Sequence, residues 1–188
     1  MVPAVLVRPY STPTRAAWLT PRARTCRPQN NDLTLSLLAR GKREGFSALV
    51  VTVDTMAIGW RPLDLDAGFL PFAHGLGIQI ALSDPVFVAK HCPHLARGEV
   101  VPDPGPEAFP YDARRQDALI AAGDEKATEM VRLARAWGGE AVNGTFRSWE
   151  DVRFLRKSWE GPLVLKGIMS PEVSALFYEK RVRANLGA

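Results

Sequence analysis

Four residues in this chain have the type and spacing for polar chemistry beside buried backbone: Thr52, Asp54, Arg61 and Lys166. Three of them fall in "ALVVTVDTMAIGWRPLDLD", residues 48–66, which starts as an apolar run and turns polar and charged. Thr52 and Asp54 alternate with Val51 and Val53, so on a strand both project from one side of the sheet. A carboxylate there can orient a histidine or a metal, or it can cap the following turn. The planar fork of Arg61 suits the carboxylate of a small substrate and equally suits a solvated loop. Lys166 lies in "LVLKGI", where an ammonium must be paired, face a polar cavity, or reach water from the end of the strand. In parallel α/β proteins the reacting groups collect just past the carboxyl ends of the strands, which is where these residues fall.

Other polar candidates carry less. His74, His91 and His94 lack both helical i,i+4 spacing and acidic company, so they read as loop residues and no metal site is expected. "HGLGIQIA" begins like a phosphate-cradling loop but lacks a third glycine, a preceding strand and a capped helix after it. Cys26 and Cys92 are too few and too far apart for a disulfide framework or a metal set, which fits a reducing compartment. The sequon Asn143-Gly144-Thr145 then reads as a turn, and Trp149 and Trp159 as helix-packing residues.

The elements that must position the candidates follow from periodicity. "DLTLSLLARGKREG" pairs Leu33 with Leu37 and Leu35 with Leu38 on a helix, with Asp32 as its cap candidate and Gly45 as its stop. It feeds the near-continuous apolar run 48–53, the pattern of a strand covered on both faces. Residues 55–123 are punctuated by Pro62, Pro71, Pro85, Pro93, Pro102, Pro104, Pro106 and Pro110 and read as a long irregular segment, most disordered over 98–112. "DEKATEMVRLARAW" then sets Ala127, Met130, Val131, Ala134 and Trp137 on one helical face. "SWEDVRFLRKSWEGP" follows, capped by Ser148 with Asp151 three residues on, and burying Val152, Leu155 and Trp159. After the strand "LVLKGI", Ser170 and Pro171 open a last helix towards Arg183. A third strand is expected at 4–7, and no internal repeat is present. Alternation of helix and buried strand predicts a parallel sheet, either a β/α barrel or a doubly wound fold. A closed barrel needs about 250 residues and eight strands, so a chain of 188 would be only part of one.

Composition bounds the partners. With 46% hydrophobic and 23% charged residues the chain reads as one soluble domain. Its pI of 9.3 would suggest a polyanion partner, but Arg8, Arg15, Arg22, Arg24 and Arg27 sit in the first 31 residues without a single acid. Against a net charge of +4, that leaves the body near neutral, which argues against a nucleic-acid surface. No apolar run approaches the roughly 18 residues of a membrane span. The expected location is cytoplasmic. Arg, Ser and Thr without acids at the N-terminus keep a mitochondrial presequence as the alternative, although four prolines before Arg22 interrupt its helix.

Taken together, "LTLSLLARGKREGFSALVVTVDT", "WRPLDLD", "SDPVF" and "SWEDVRFLRKSWEGPLVLKGI" resemble the FMN-dependent α-hydroxy-acid oxidases and dehydrogenases, within them the lactate 2-monooxygenase-like branch. The match runs in one register over residues 28–168. It implies an incomplete (β/α)8 TIM barrel with FMN at the carboxyl ends of its strands. By position, Thr52 matches the hydroxyl that hydrogen-bonds the flavin ring, and Asp54 the carboxylate that orients and stabilises the catalytic histidine. Arg61 matches the arginine that holds the carboxylate of a small 2-hydroxy-acid substrate. Lys166 matches the lysine beside flavin N1, whose charge stabilises the reduced ring.

The departures shape the expectations. The family's "SNHGGRQ"-like segment, with the catalytic histidine and a second arginine, does not occur before Ala188, nor do its phosphate loops. Where the family reads like "QLYWP", this chain has "RTCRP", with Arg24 and Cys26 replacing a glutamine and a tyrosine of the site. The expected organisation is a basic, disordered segment 1–29, a partial barrel 30–169 and a divergent helix 170–188. On this reading the chain is the middle of an oxidoreductase lacking both ends, inactive alone, and a family-like homo-oligomer is expected only of a complete chain. Two competing readings are a non-catalytic module that packs on a full-length relative, and a lyase using Lys166 as a Schiff-base nucleophile.

Overall fold

The structure, a computed structural model, describes residues 22–25, 27–57, 59–93 and 110–185. Its centre is strand β2 (Ala48–Thr52), with β1 (Arg22–Thr25) and β3 (Leu163–Lys166) parallel on either side in the order β1-β2-β3. Arg22 pairs with Ala48 on one edge, and Leu49 with Leu163 through Thr52 with Lys166 on the other. Two further backbone bonds, Leu49 N to Pro162 O and Val53 N to Lys166 O, both 2.9 Å, extend the β2–β3 ladder at each end. Leu49, Val51 and Leu163 turn one face of the sheet onto Leu38, Phe46, Leu155 and Trp159 in a closed apolar core. The opposite face carries Val50, Thr52, Val164 and Lys166, paired across the same register. These parallel strands with intervening helices are the α/β pattern that the sequence predicts.

The strand at Arg22–Thr25 corrects the boundary read at residue 29, and the strand expected at 4–7 lies outside the described residues. An edge strand is held by backbone bonds to its neighbour and needs no apolar alternation, so "RART" conceals it. Arg27 is a second correction. Counted as one charge of a solvated tail, it is buried, ion-paired to Asp151 at 2.6 Å and stacked over Phe154 at 4.9 Å. It ties the segment after β1 to the helix before β3.

Helix α1 (Asn31–Arg43) is capped by Asn30, whose Oδ1 accepts from Leu33 N at 3.1 Å, so Asp32 falls in the first turn rather than at the cap. The helix serves two cores: Leu38 faces the sheet and Leu33 faces a second, wholly helical cluster. The expected irregular stretch 55–123 builds much of that cluster. It contains α2 (Pro62–Asp66), a 3-10 turn (Pro71–His74), α3 (Gln79–Leu82), α4 (Pro85–His91) and α5 (Ala113–Ala121). Pro62, Pro71 and Pro85 sit at the first positions of their helices, where a missing N–H costs nothing, so they start helices rather than break them. Of the region expected to be most disordered, residues 98–109 lie outside the described residues, while Asp112 caps α5 through Arg115 N.

Ile78, Ala81, Leu82, Phe87 and Cys92 of this stretch pack on Met130, Leu133, Ala134, Trp137 and Ala141 of α6 (Glu125–Ala141). The α6 stripe differs from the expected one in that Leu133 is fully buried while Ala127 and Val131 are only partly covered. The capping box of Ser148 and Asp151 opens α7 (Trp149–Ser158) as read. The last helix is α8 (Pro171–Asn185), and Trp149 stacks on its Phe177 with ring centroids 6.4 Å apart. Asn143 closes the expected turn by accepting from Thr145 N at 2.9 Å.

Candidate active site

The carboxyl ends of β2 and β3 bring three of the four sequence candidates together. Thr52 and Lys166 are register partners on adjacent strands, and Asp54 lies two residues past Thr52 on the same side. Lys166 Nζ stands 3.3 Å from Asp54 Oδ1 and 3.5 Å from Oδ2, and Thr55 Oγ1 donates to Oδ1 at 3.1 Å. Thr52 is buried, whereas the Lys166 and Asp54 side chains are 42% and 39% exposed. Lys166 thus meets both demands of a cation on an apolar strand: it has a carboxylate partner and its head reaches the open side of the sheet.

Partial burial alone would raise the Asp54 pKa. Hydrogen bonds from Lys166 and Thr55, together with the ammonium charge, outweigh that and hold the carboxyl below the ordinary carboxylate range. A pKa lower in the folded than in the unfolded chain means that unfolding takes up protons in this range. The stabilisation from Asp54 is therefore complete above the ordinary carboxylate range and is lost as pH falls through the folded value. Asp54→Asn should accordingly cost stability at neutral pH, and the gap between parent and variant should close on acidification. Urea unfolding at a series of pH values checks this, and a gap independent of pH would contradict it.

Among the described residues, no contact brings Arg61 to this pair. It occupies the N-cap position of α2 and binds Asp64 Oδ2 at 3.0 Å on its own helix, with its side chain about half exposed. The described histidines are also held elsewhere. His74 lies between Tyr111 Oη, 2.8 Å from Nδ1, and Asp117 Oδ1, 3.1 Å from Nε2. His91 packs on the Phe87 ring at 4.6 Å, where burial pushes its pKa down. Arg24 pairs with Val50 through the backbone of β1, and Cys26 and His94 lie outside the described residues.

Sequence reasoning passed over Gly167. It follows Lys166 with φ +95°, and a Cβ built on it would fall 2.6 Å from Asp54 Oδ1 and closer still to Cγ and Cβ of the same side chain. The only signal available was a glycine directly after a strand-end lysine, which pattern reading treats as a stop. The face formed by Thr52, Asp54, Lys166 and the bare Gly167 offers a hydroxyl, a carboxylate and an ammonium side by side. The hydroxyl and the ammonium fit the hydrogen-bonding edge of a heteroaromatic ring that gains negative charge; the carboxylate, an acceptor, suits a protonated partner instead.

Comparison with known proteins gives the family. The family model described as FMN-dependent dehydrogenase matches residues 20–184, extending past both ends of the 28–168 span of the motif resemblance. The chain is 39% identical over 139 residues to an FMN-dependent alpha-hydroxy acid dehydrogenase, qulF, of Penicillium citrinum, covering 74% of this chain and 27% of that protein. It is 36% identical over 147 residues to the FMN-dependent alpha-hydroxy acid dehydrogenase PB1A11.03 of Schizosaccharomyces pombe, covering 76% and 30%. To an L-lactate oxidase of Lysinibacillus sphaericus it is 27% identical over 147 residues, covering 78% and 29%. The chain therefore spans less than a third of the length of these curated relatives. With a matching family model over most of its length and a polar cluster at adjoining strand ends, the chain belongs to the FMN-dependent dehydrogenase family.

Proposed function

We propose that this chain is the part of a (β/α)8 barrel that carries the Thr52, Asp54 and Lys166 side of an FMN site, in an oxidoreductase acting on a small 2-hydroxy acid. The observation that carries the reading is the Lys166–Asp54 pair beside Thr52 at the carboxyl ends of β2 and β3. When bound, FMN supplies the acceptor for the hydride that leaves the substrate α-carbon. Lys166 would place positive charge against the ring edge that becomes negative, and Thr52 would hydrogen-bond the ring at the neighbouring register position. Asp54 would hold the protonated form of a general base. No described histidine touches Asp54, so this chain is not expected to turn over substrate by itself. Arg61, about half exposed and ion-paired to Asp64 three residues on, can exchange Asp64 for a substrate carboxylate without leaving a buried charge unpaired.

A second reading, a module that packs on a full-length relative, is favoured by apolar side chains left open on this part of the molecule. Val164 is 47% exposed on the same sheet face as Lys166, and Met169 and Phe146 are more exposed still. For the Schiff-base reading there is no matching support, since Lys166 has a carboxylate neighbour and no apolar enclosure to favour a neutral amine.

A chimera tests the first reading. Residues 20–184, placed in the Penicillium relative in exchange for the matching segment, should give a yellow protein whose flavin is bleached anaerobically by a 2-hydroxy acid. A folded chimera that binds no flavin would overturn it, and co-purification of the isolated chain with a full-length relative would support the second.

A further inference from the structure

Resting on the reading of Asp54 and Lys166 as one site, we propose that Gly167 is a positioning residue: its missing side chain is the space in which the Asp54 carboxylate lies against Lys166. Three observations carry this. The ends of β2 and β3 are joined by Val53 N to Lys166 O at 2.9 Å, so opening the backbone at 54 and 167 would strain that bond. Gly167 has φ +95°, a conformation that side-chain-bearing residues rarely adopt. A Cβ there would collide with Asp54 from Oδ1 back to Cβ, so a rotation of the carboxylate tip alone cannot relieve it. The glycine thus fixes where the carboxylate stands relative to the ammonium, although it has no polar side-chain atom of its own.

Two effects are mixed in Gly167→Ala: strain from the positive φ and the collision with Asp54. The first is independent of residue 54 and the second is not. Carbon-13 NMR titration of the Asp54 carboxyl in the 188-residue chain reads the position of the carboxylate directly and needs no flavin. In the parent the midpoint should lie below the ordinary carboxylate range. In Gly167→Ala it should return to that range, because displacement from Lys166 removes the interactions that lower it. An unchanged midpoint in the folded variant would overturn the proposal.

If Gly167→Ala does not fold, a double variant decides. Asp54→Gly removes the whole obstructing side chain, whereas Asp54→Ala would keep the crowded Cβ. Asp54→Gly with Gly167→Ala should regain the cooperative urea transition that Gly167→Ala alone has lost; failure to regain it, with Asp54→Gly itself folded, would assign the glycine to its positive φ rather than to the space for Asp54 and would overturn the proposal. Neither measurement depends on FMN. A chain that passes them yet gives a flavin-free chimera would refute the cofactor reading and leave the positioning role standing.

Discussion

Asp84→Ala is expected to destabilise the chain by about 3 to 5 kcal/mol, as for removal of one partner from a buried charge pair. Asp84 is fully buried and each of its oxygens is engaged. Oδ1 caps α4, accepting from Val86 N at 2.9 Å and Phe87 N at 3.3 Å. Oδ2 accepts from Ser36 Oγ at 2.8 Å and lies 3.6 Å from Arg40 Nη2, both on α1. Truncation would strand the helix donors, the Ser36 hydroxyl and part of the Arg40 charge. Loss of an N-cap alone costs about 1 kcal/mol, so the clasp between α1 and α4 supplies most of the effect. Asp84→Asn keeps one acceptor for the cap and loses the charge, and should cost about 1 to 2 kcal/mol. Urea unfolding measures both. If alanine cost only about 1 kcal/mol, the cap and not the clasp would be what the carboxylate contributes.

The same residue marks what pattern reading could and could not reach. "SDPVF" stood out as part of a family resemblance, yet its Asp84 and Pro85 form a helix start and a buried clasp, with no part in the chemistry at the strand ends. The strands at 48–52 and 163–166 were readable because buried parallel strands demand an unbroken apolar run, and the capping box at Ser148 because its spacing has one physical use. The period of two placed Thr52 and Asp54 on one side. It could not set the register of β3, from which the Lys166–Asp54 contact follows across 112 residues. Arg27 and the strand at Arg22–Thr25 were hidden by charge, since burial of a guanidinium depends on Asp151 and Phe154, which lie far along the chain. The prolines misled because a ring at the first helical position and one in a helix interior look alike until the turn before it is known. Gly167 was invisible for a related reason: the space that it leaves is defined by a side chain on another strand.

Lys166→Met should lower the reduction potential of bound flavin and slow its reduction by substrate, both measured in the chimera that carries residues 20–184. The argument starts from the charge. An ammonium about 4 Å from a developing negative charge is worth about 4 kcal/mol at an effective dielectric of 20. Two features of this site reduce that figure. The lysine head is 42% exposed, so water screens it, and Asp54 at 3.3 Å already offsets part of its charge. A residual of at least about 1.4 kcal/mol corresponds to tenfold in the rate of reduction by substrate. The same difference is a tenfold change in the relative affinity for reduced and oxidised flavin, or about 30 mV for a two-electron couple. Methionine keeps the length and apolar stem of the side chain, so the structural cost should be modest and limited to the stability that the partly exposed pair with Asp54 contributes. Lys166→Arg separates charge from shape, and should retain most of the potential while disturbing the fit beside Thr52. Asp54 offers an internal check, because the same Met variant should return its titration to the ordinary carboxylate range. A variant in which Asp54 shifts and the potential does not would leave Lys166 as a partner for the carboxylate alone, and would move the charge that stabilises reduced flavin to another residue.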